Sequence, residues 1–380
     1  MRWFIPIFLS LFALMHVYVY LHLVKAFNSI VIRFIGIMTF LIGFLSPFLW
    51  RYADANWNPQ IAYYIAFGGL LWMGFLLYFL VNLLIFDLYK AFVFLSKRLF
   101  GLNPLPIPSR KGSLLTALFF SIALSSYSHY ETLNLRVERF TLYTDKLPES
   151  IDHIKILHLS DLHLGPVMGM DKIRPILSIY EREKPHIVIS TGDLIDGNMR
   201  DKRHLAIALG QMNPPLGKYA VFGNHEYYRG VDQAVEFTQE VGFKLLRGDT
   251  FLLKDYNISL VGIDDDDCRF FRVCKGTLSD VELLKGAKRD SFVIYLKHKP
   301  RLERGAEELF DLMLSGHTHG GVYYPVGRLI LTKIFISDRG LHRIGDAHLY
   351  ISKGVGTGGP PMRLFSPPDV AILEIVNKPK

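Results

Sequence analysis

Four stretches in the first third of the chain carry no charged residue: 4–24, 34–50, 61–86 and 113–130. A helix that crosses a bilayer needs about 20 apolar residues, within a range of about 17 to 25. A backbone in hydrocarbon must also satisfy its own hydrogen bonds, which leaves helices as the conformation for runs of this length. Four membrane-spanning helices are therefore expected within residues 1–130. The last run is the most polar, because Ser125, Ser126 and Ser128 dilute it. The first is too long, and too poor in a small-residue cleavage site, for a simple signal peptide. His16 and His22 lie six apart in it and not on one helical face, which suits helix packing or an interfacial position better than metal binding. No Asp, Glu, Lys or Arg sits well inside a run, so the helices read as an anchor rather than an ion path.

Charge gives the expected orientation. Lys25 and Arg33 follow the first run, and Lys90, Lys97, Arg98, Arg110 and Lys111 lie between the third and fourth. The other side offers Arg2, and Arg51 opposed by Asp54. Basic loops stay cytoplasmic. Four crossings then put the second half of the chain outside, on the periplasmic face of an inner membrane; a fourth run lying only in the interface would put it in the cytoplasm. Residues 1–150 hold 12 Lys plus Arg against 6 Asp plus Glu, and the rest hold 31 against 29. The positive surplus thus belongs to membrane topology and, around residues 90–111, to anionic headgroups. Membrane lipids are expected partners. Nucleic acid is not, since it wants a clustered basic face. Asn103-Pro104-Leu105-Pro106-Ile107-Pro108 reads as a stiff loop. Residues 131–153 are polar and mixed in charge, a linker or, because 133–142 alternates, the first strand of a second domain at 154–380.

That second domain holds five short blocks in order: Asp161-Leu162-His163, Gly192-Asp193, Gly223-Asn224-His225-Glu226, His298, and Gly316-His317-Thr318-His319. The blocks supply seven oxygen and nitrogen donors and one spare histidine. Asp and His are borderline-hard ligands suited to Zn, Mn or Fe, and no thiolate is among them. Asp161 and His163 can reach one ion from an extended or turning backbone. Asp193 can bridge two, and Asn224 adds a neutral oxygen. His317 and His319 can serve one ion each from an extended segment. Two divalent ions side by side activate water and neutralise phosphoryl oxygens, which suits hydrolysis of a phosphate ester. Each block follows a short apolar run, such as Ile154-Lys155-Ile156-Leu157 or Phe292-Val293-Ile294-Tyr295-Leu296. Helix-like stretches fall between, at roughly 170–183, 204–212 and 231–241. Donors at the carboxyl ends of strands in an α/β sheet are where such folds put their sites.

In order and spacing the five blocks resemble the calcineurin-like metallophosphoesterase superfamily. The tail Gly354-Val355-Gly356-Thr357-Gly358, Arg363 and Pro367-Pro368-Asp369 resembles its membrane-associated bacterial branch. Beside the four-helix transmembrane region read from the apolar runs, the resemblance implies an α/β domain of two mixed β-sheets sandwiched by helices. It implies two divalent metal ions per chain, Mn, Zn or Fe. One would sit on Asp161, His163, Asp193 and His319, the other on Asp193, Asn224, His298 and His317. It also implies that His225 contacts the phosphate and protonates the leaving oxygen, with Asp196 holding its tautomer. The family's histidine block is often followed by Gly-Gly-Gln; Val322 stands here instead of Gln, which bears on local substrate contacts.

Other residues have plainer readings. His158 lies within the first strand and reads as a packed core histidine. The acidic run 264–267 reads as a solvated loop after a strand at 258–263. Cys268 and Cys274 form a local disulfide if the domain is exported and stay free thiols if it is cytoplasmic. Phe270 and Phe271 between them serve as a greasy lip for a lipid chain or as a loop anchor. The expected activity is a membrane-anchored phosphoesterase acting on a phosphodiester or pyrophosphate, with a lipid-linked substrate the natural candidate. The alternatives are a nuclease or nucleotidase with an incidental anchor, and a sensor domain that binds phosphate without turnover.

Overall fold

The structure, a computed structural model, describes residues 4–101 and 106–378. Arg2 and the proline-loop residues Asn103, Pro104 and Leu105 lie outside the described residues. The chain divides into a helical unit, Met1–Tyr130 with Gly359–Met362, and an α/β unit, Glu131–Gly358 with Arg363–Lys380.

The helical unit consists of α1 (Phe4–Ala26), α2 (Ile30–Asn56), α3 (Pro59–Phe100) and α4 (Arg110–Glu131). Ser29 caps α2 through its side chain, Asn58 caps α3 ahead of a proline in its first turn, and Gly101, at φ 65°, ends α3 in the left-handed region. Three of the helices are long and apolar enough to cross a membrane, at Ile5–Ala26, Ile30–Asn56 and Pro59–Phe100. The expectation of four spans is corrected to three. The run 113–130 is uncharged and helical, but its serines keep it below the apolarity a span requires. Ser113, Ser121, Ser125 and Ser128 are buried. Ser121 donates back to Ala117 O at 2.6 Å, and Ser128 Oγ lies 2.6 Å from Tyr78 OH on α3. Helix α3 differs from its sequence reading in the other direction. It runs on past Phe86 for 42 residues in all, about 60 Å at ~1.5 Å per residue, so Lys90, Lys97 and Arg98 are helical rather than part of a loop. Within it Asp87 accepts from Tyr18 OH at 2.7 Å and lies 3.0 Å from His22 Nε2. His16 accepts from Trp72 Nε1 at 3.0 Å. Both histidines thus join helices.

The α/β unit is built on two six-stranded sheets. The first contains β1 (Arg136–Thr144), β2 (His153–Leu159), β3 (Ile187–Ser190), β4 (Lys218–Ala220), β5 (Lys244–Leu245) and β12 (Asp369–Asn377), in the order β1-β12-β2-β3-β4-β5. Strands β2 to β5 run parallel, β12 is antiparallel to β2, and β1 is parallel to β12. The second contains β6 (Asp249–Leu253), β7 (Ile258–Gly262), β8 (Phe292–Leu296), β9 (Leu312–Ser315), β10 (Gly340–Ile344) and β11 (Ala347–Ile351), in the order β10-β11-β9-β8-β7-β6. Here β7, β8, β9 and β11 are parallel, with antiparallel strands at both edges.

The two-residue period of a strand divides the core. Ile154 and Ile156 of β2 face the second sheet and pack in one cluster with Ile258, Leu260, Ile294 and Leu314. Leu157 and Leu159 point the other way, into a cluster with α5 (Met170–Glu183), α6 (Arg203–Gly210) and α8 (Val231–Glu240). The far face of the second sheet packs Val293, Tyr295 and Met313 against Leu283 and Leu284 of α10 (Asp280–Leu284). Strands buried on both faces read as continuous apolar runs, which is how the sequence announced them. The short helices α7 (Asn224–Arg229) and α9 (Cys268–Phe271) add Tyr227 and Cys268 to the cluster of Leu157 and Leu159, while α11 (Val326–Leu331) buries none of its residues.

Candidate metal centre

The two sheets aim the carboxyl ends of β2, β3, β4, β8 and β9 at one place, and each strand delivers a block just beyond its last residue. Asp161 and His163 follow β2, Asp193 follows β3, Asn224 opens α7 after β4, His298 follows β8, and His317 and His319 follow β9. All seven are brought together, with donor atoms converging in three overlapping groups: Asp161, His163 and His319; His163, Asp193 and His225; and Asp193, His298 and His317. His163 Nε2 lies 3.1 Å from His319 Nε2 and 3.9 Å from Asp161 Oδ1. Asp193 Oδ2 lies 3.7 Å from His163 Nε2 on one side and 3.2 Å from His298 Nε2 on the other. His298 Nε2 is also 3.2 Å from Asn224 Oδ1 and 3.1 Å from His317 Nδ1.

Backbone conformation produces this convergence. Asp161, His163, Asp193, His317 and His319 all have positive φ, between 49° and 71°. The left-handed region costs a residue with a side chain of order 1–3 kcal/mol, and such strain clusters at functional sites. The turns it makes fold each loop back so that two side chains two apart meet on one side. The expectation of an extended segment at His317 and His319 is corrected accordingly. The glycine that opens a block has a steric cause. A Cβ on Gly223 would stand 2.2 Å from Asp193 Oδ1, and one on Gly316 would stand 1.9 Å from Ser160 Oγ. These loops pass too close for any side chain.

Around the donors is a second set of bonds. His298 Nδ1 faces Thr191 O at 2.8 Å, which leaves Nε2 for the centre. Asp161 accepts from Ser160 Oγ at 2.5 Å and from His317 N at 3.1 Å. The buried Glu226 carboxylate accepts four backbone N–H groups, from Gly223 at 2.7 Å, Asp193 at 3.0 Å, Leu194 at 2.6 Å and Ile195 at 3.2 Å. It thereby fastens the Gly-Asn loop to the Gly-Asp loop. Arg363 is fully buried and donates to Lys353 O at 2.6 Å and Gly354 O at 3.0 Å, with Nη2 3.0 Å from His319 Nδ1. Asp369, also buried, accepts from Ser352 Oγ and Lys353 N. Glu226, Arg363 and Asp369 lie within the sequence motifs, but their tasks emerge only from these contacts. An acidic residue two after a donor asparagine, inside a ligand block, was the available signal for Glu226.

Asp196 lies where two histidines meet. Its Oδ1 is 2.8 Å from His225 Nδ1, and its Oδ2 is 3.5 Å from His163 Nδ1. Arg229 Nε donates to it at 2.8 Å. The backbone N–H of His225 donates to Asp193 Oδ1 at 2.9 Å. Asp264 and Asp265, expected in solvent, are buried instead. Asp264 forms a two-pronged pair with Arg247 at 2.8 Å, and Asp265 takes Lys299 Nζ at 2.8 Å. A basic residue 17 positions upstream gives no local sign of such a pair. His158 is a core histidine as expected, with Nε2 2.8 Å from Thr191 Oγ1, and burial pushes its imidazole down to about 3.

The centre demands positive charge. Burial resists protonation of His298, but Asp193 and then Asp161 outweigh it and raise the imidazole to about 10. His225 is likewise raised to about 9, burial being outweighed by Asp193 and Asp196. Burial, followed by the neighbouring His298 for one and Arg363 for the other, holds His317 and His319 well below the usual histidine range. Neutral imidazole is the form that binds metal. A buried set of carboxylate, amide and imidazole donors that draws in protons, with no thiolate, fits divalent cations of the Mn, Fe or Zn kind.

Residues 154–321 match the calcineurin-like phosphoesterase family. An uncharacterized metallophosphoesterase of Aquifex aeolicus is 48% identical over 263 residues, which cover 69% of this chain and 99% of that protein. The chain belongs to the calcineurin-like metallophosphoesterases. As a member of that family it is a metal-dependent phosphoesterase. A metallophosphoesterase of Campylobacter jejuni is 27% identical over 392 residues, 98% of each chain. A zebrafish (Danio rerio) transmembrane protein with a metallophosphoesterase domain is 35% identical over 236 residues, 58% of this chain and 53% of that one. With three apolar helices of spanning length, this metallophosphoesterase is membrane-associated.

Proposed function

We propose that this metallophosphoesterase hydrolyses a phosphodiester or pyrophosphate bond with two divalent cations, in a substrate carried by the membrane lipid layer. The observation that carries the reading is Asp193, whose single Oδ2 stands 3.7 Å from His163 Nε2 and 3.2 Å from His298 Nε2. One carboxylate oxygen facing ligands of two clusters suits a bridge. Asp161, His163, Asp193 and His319 would hold one cation, and Asp193, Asn224, His298 and His317 the other. Bound there, the cations supply an activated water and neutralise the phosphoryl oxygens. His225 would bind the phosphoryl group and give its proton to the leaving oxygen. Asp196, against Nδ1, would keep that proton donor oriented.

The outer, periplasmic face is proposed as the location of the α/β unit. Basic loops kept on the cytoplasmic side put the unit on that face with four crossings and in the cytoplasm with three. What supports it now is the Cys268–Cys274 disulfide, a bond that belongs to oxidising compartments. A cysteine placed at the exposed Asp346, labelled in intact cells by a membrane-impermeant thiol reagent, tests this; labelling only after lysis would contradict it.

The activity is tested with the full-length protein in detergent, stripped of metal and reloaded with Mn or Zn, on chromogenic phosphodiester and phosphomonoester. Metal-dependent turnover favouring the diester supports the reading. Two ions bound per chain with no turnover on any ester would point to the binding-only alternative.

A further inference from the structure

Two exposed apolar segments flank the metal centre, both within the α/β unit. The first is the loop 268–275, Cys-Arg-Phe-Phe-Arg-Val-Cys-Lys, closed by the Cys268–Cys274 disulfide. Phe270 is 60% exposed at its tip. The Phe271 ring lies 6.1 Å from that of Tyr228 at a tilt of 51°, and Tyr228 lies 5.4 Å from His225. The second is the segment 322–337, which leaves the ligand block after His319. The next residue, Asp338, brings it back, its carbonyl accepting from Thr318 Oγ1 at 2.6 Å. This segment exposes Val326, Leu329, Ile330 and Ile334, and its Phe335 ring is 5.3 Å from His317. One segment thus adjoins the proposed acid, the other a proposed ligand.

Their chemistry is matched. Among the described residues of the α/β unit outside these segments and Tyr228, only Leu133, Tyr143, Ile207 and Phe365 are exposed large apolar side chains. Contiguous apolar surface on a folded domain marks an interaction site. The first segment adds exposed Arg269, Arg272 and Lys275 and no acidic residue, and the second adds exposed Arg328 and Lys333. Apolar side chains interleaved with cations suit the interface of an anionic bilayer, where the first enter the acyl boundary and the second meet headgroup phosphates. A second copy of this chain would set cations against cations. The chain's own spanning helices hold the domain at a bilayer in any case.

We propose that segments 268–275 and 322–337 seat in the headgroup layer of an anionic bilayer, so that the metal centre between them receives a phosphoester bearing an acyl chain. The substrate half of this proposal rests on the phosphoesterase reading; the seating half does not. The test uses the full-length protein in nanodiscs of phosphatidylethanolamine and phosphatidylglycerol, spin-labelled at Val326→Cys or Leu329→Cys. The native cysteines are tied in their disulfide. Asp346→Cys is the control, in the β10–β11 turn at the end of the sheet away from the ligand-bearing strand ends. Labels at 326 and 329 are expected to be relaxed more by oxygen than by a water-soluble nickel chelate, with the order reversed at 346. Nickel access equal to that at 346 overturns the proposal, and so does shielding from both reagents, which a protein partner would give. Accessibility needs no turnover, so it stays readable if the phosphoesterase reading fails. For the substrate half, Phe270→Ser with Leu329→Ser should lower the ratio of kcat/KM on a diacyl phosphoester to kcat/KM on a water-soluble diester by about tenfold or more. An unchanged ratio overturns it.

Discussion

The helical unit and the α/β unit bury polar groups by opposite rules. In the helical unit the buried polar groups are uncharged and meet one or two partners each: Ser46 donates to Gly43 O, Ser121 donates to Ala117 O and accepts from Asn82 Nδ2, and His16 accepts from Trp72 Nε1. In the α/β unit the buried groups are charged and interlocked across the sequence. Arg247 holds Asp264, Glu226 gathers the backbone of two loops, and Arg363 reaches the loops bearing His319 and Gly354. Such networks are costly to break because each member leaves others unsatisfied. The first region is joined by scattered uncharged bonds, while the second holds loops in strained turns around a charged centre.

That contrast sets an order of effects. His225→Ala should cut turnover by about 10²- to 10⁴-fold, the usual weight of a positioned acid, while metal content per chain stays at the wild-type value; a parallel loss of metal would break the separation of acid from ligands. Arg247→Met strands the buried Asp264, and breaking such a pair costs about 3–5 kcal/mol. Thermal unfolding of the variant in detergent should show it, and an effect below about 1 kcal/mol would mean the pair is idle. His158 sharpens the comparison through pH. Its folded value, about 3, lies below the ordinary 6.5. The unfolded chain therefore binds a proton that the folded chain refuses. The stability this histidine contributes is complete above pH 6.5 and is lost as pH falls toward 3, at roughly 1.4 kcal/mol per pH unit. His158→Gln should flatten that part of the stability profile. The smallest effect belongs to the helical unit: Ser121→Ala removes the bond to Ala117 O and the one from Asn82 Nδ2 on α3, and should cost about 1 kcal/mol, the net worth of a typical hydrogen bond.

How much of this was legible follows the same divide. Apolar runs announced the strands because parallel strands are buried on both faces, and α5 begins and ends where the periodicity put it, at Met170 and Glu183. The donor set was legible because five blocks keep their order whatever their distance in the chain. Composition misled at α4, whose serines are uncharged yet too polar for a span, and it stopped short at Asp87, where the charge that ends a run sits on a continuing helix. Long-range pairs escaped altogether. Nothing in Asp264 names Arg247, and nothing in Asp196 shows that it stands against His163 as well as His225. The left-handed turns at five donors were likewise hidden, because Asp and His carry no local preference strong enough to announce them.

The central claim is that Asp193 joins two metal sites into one catalytic centre. Metal content and phosphodiester turnover of wild type and Asp193→Asn, measured side by side on full-length protein reloaded with Mn, test it most directly. The account predicts two ions per chain and turnover in the wild type, and at most one ion with no turnover in the variant. Two ions and undiminished turnover in Asp193→Asn would contradict it.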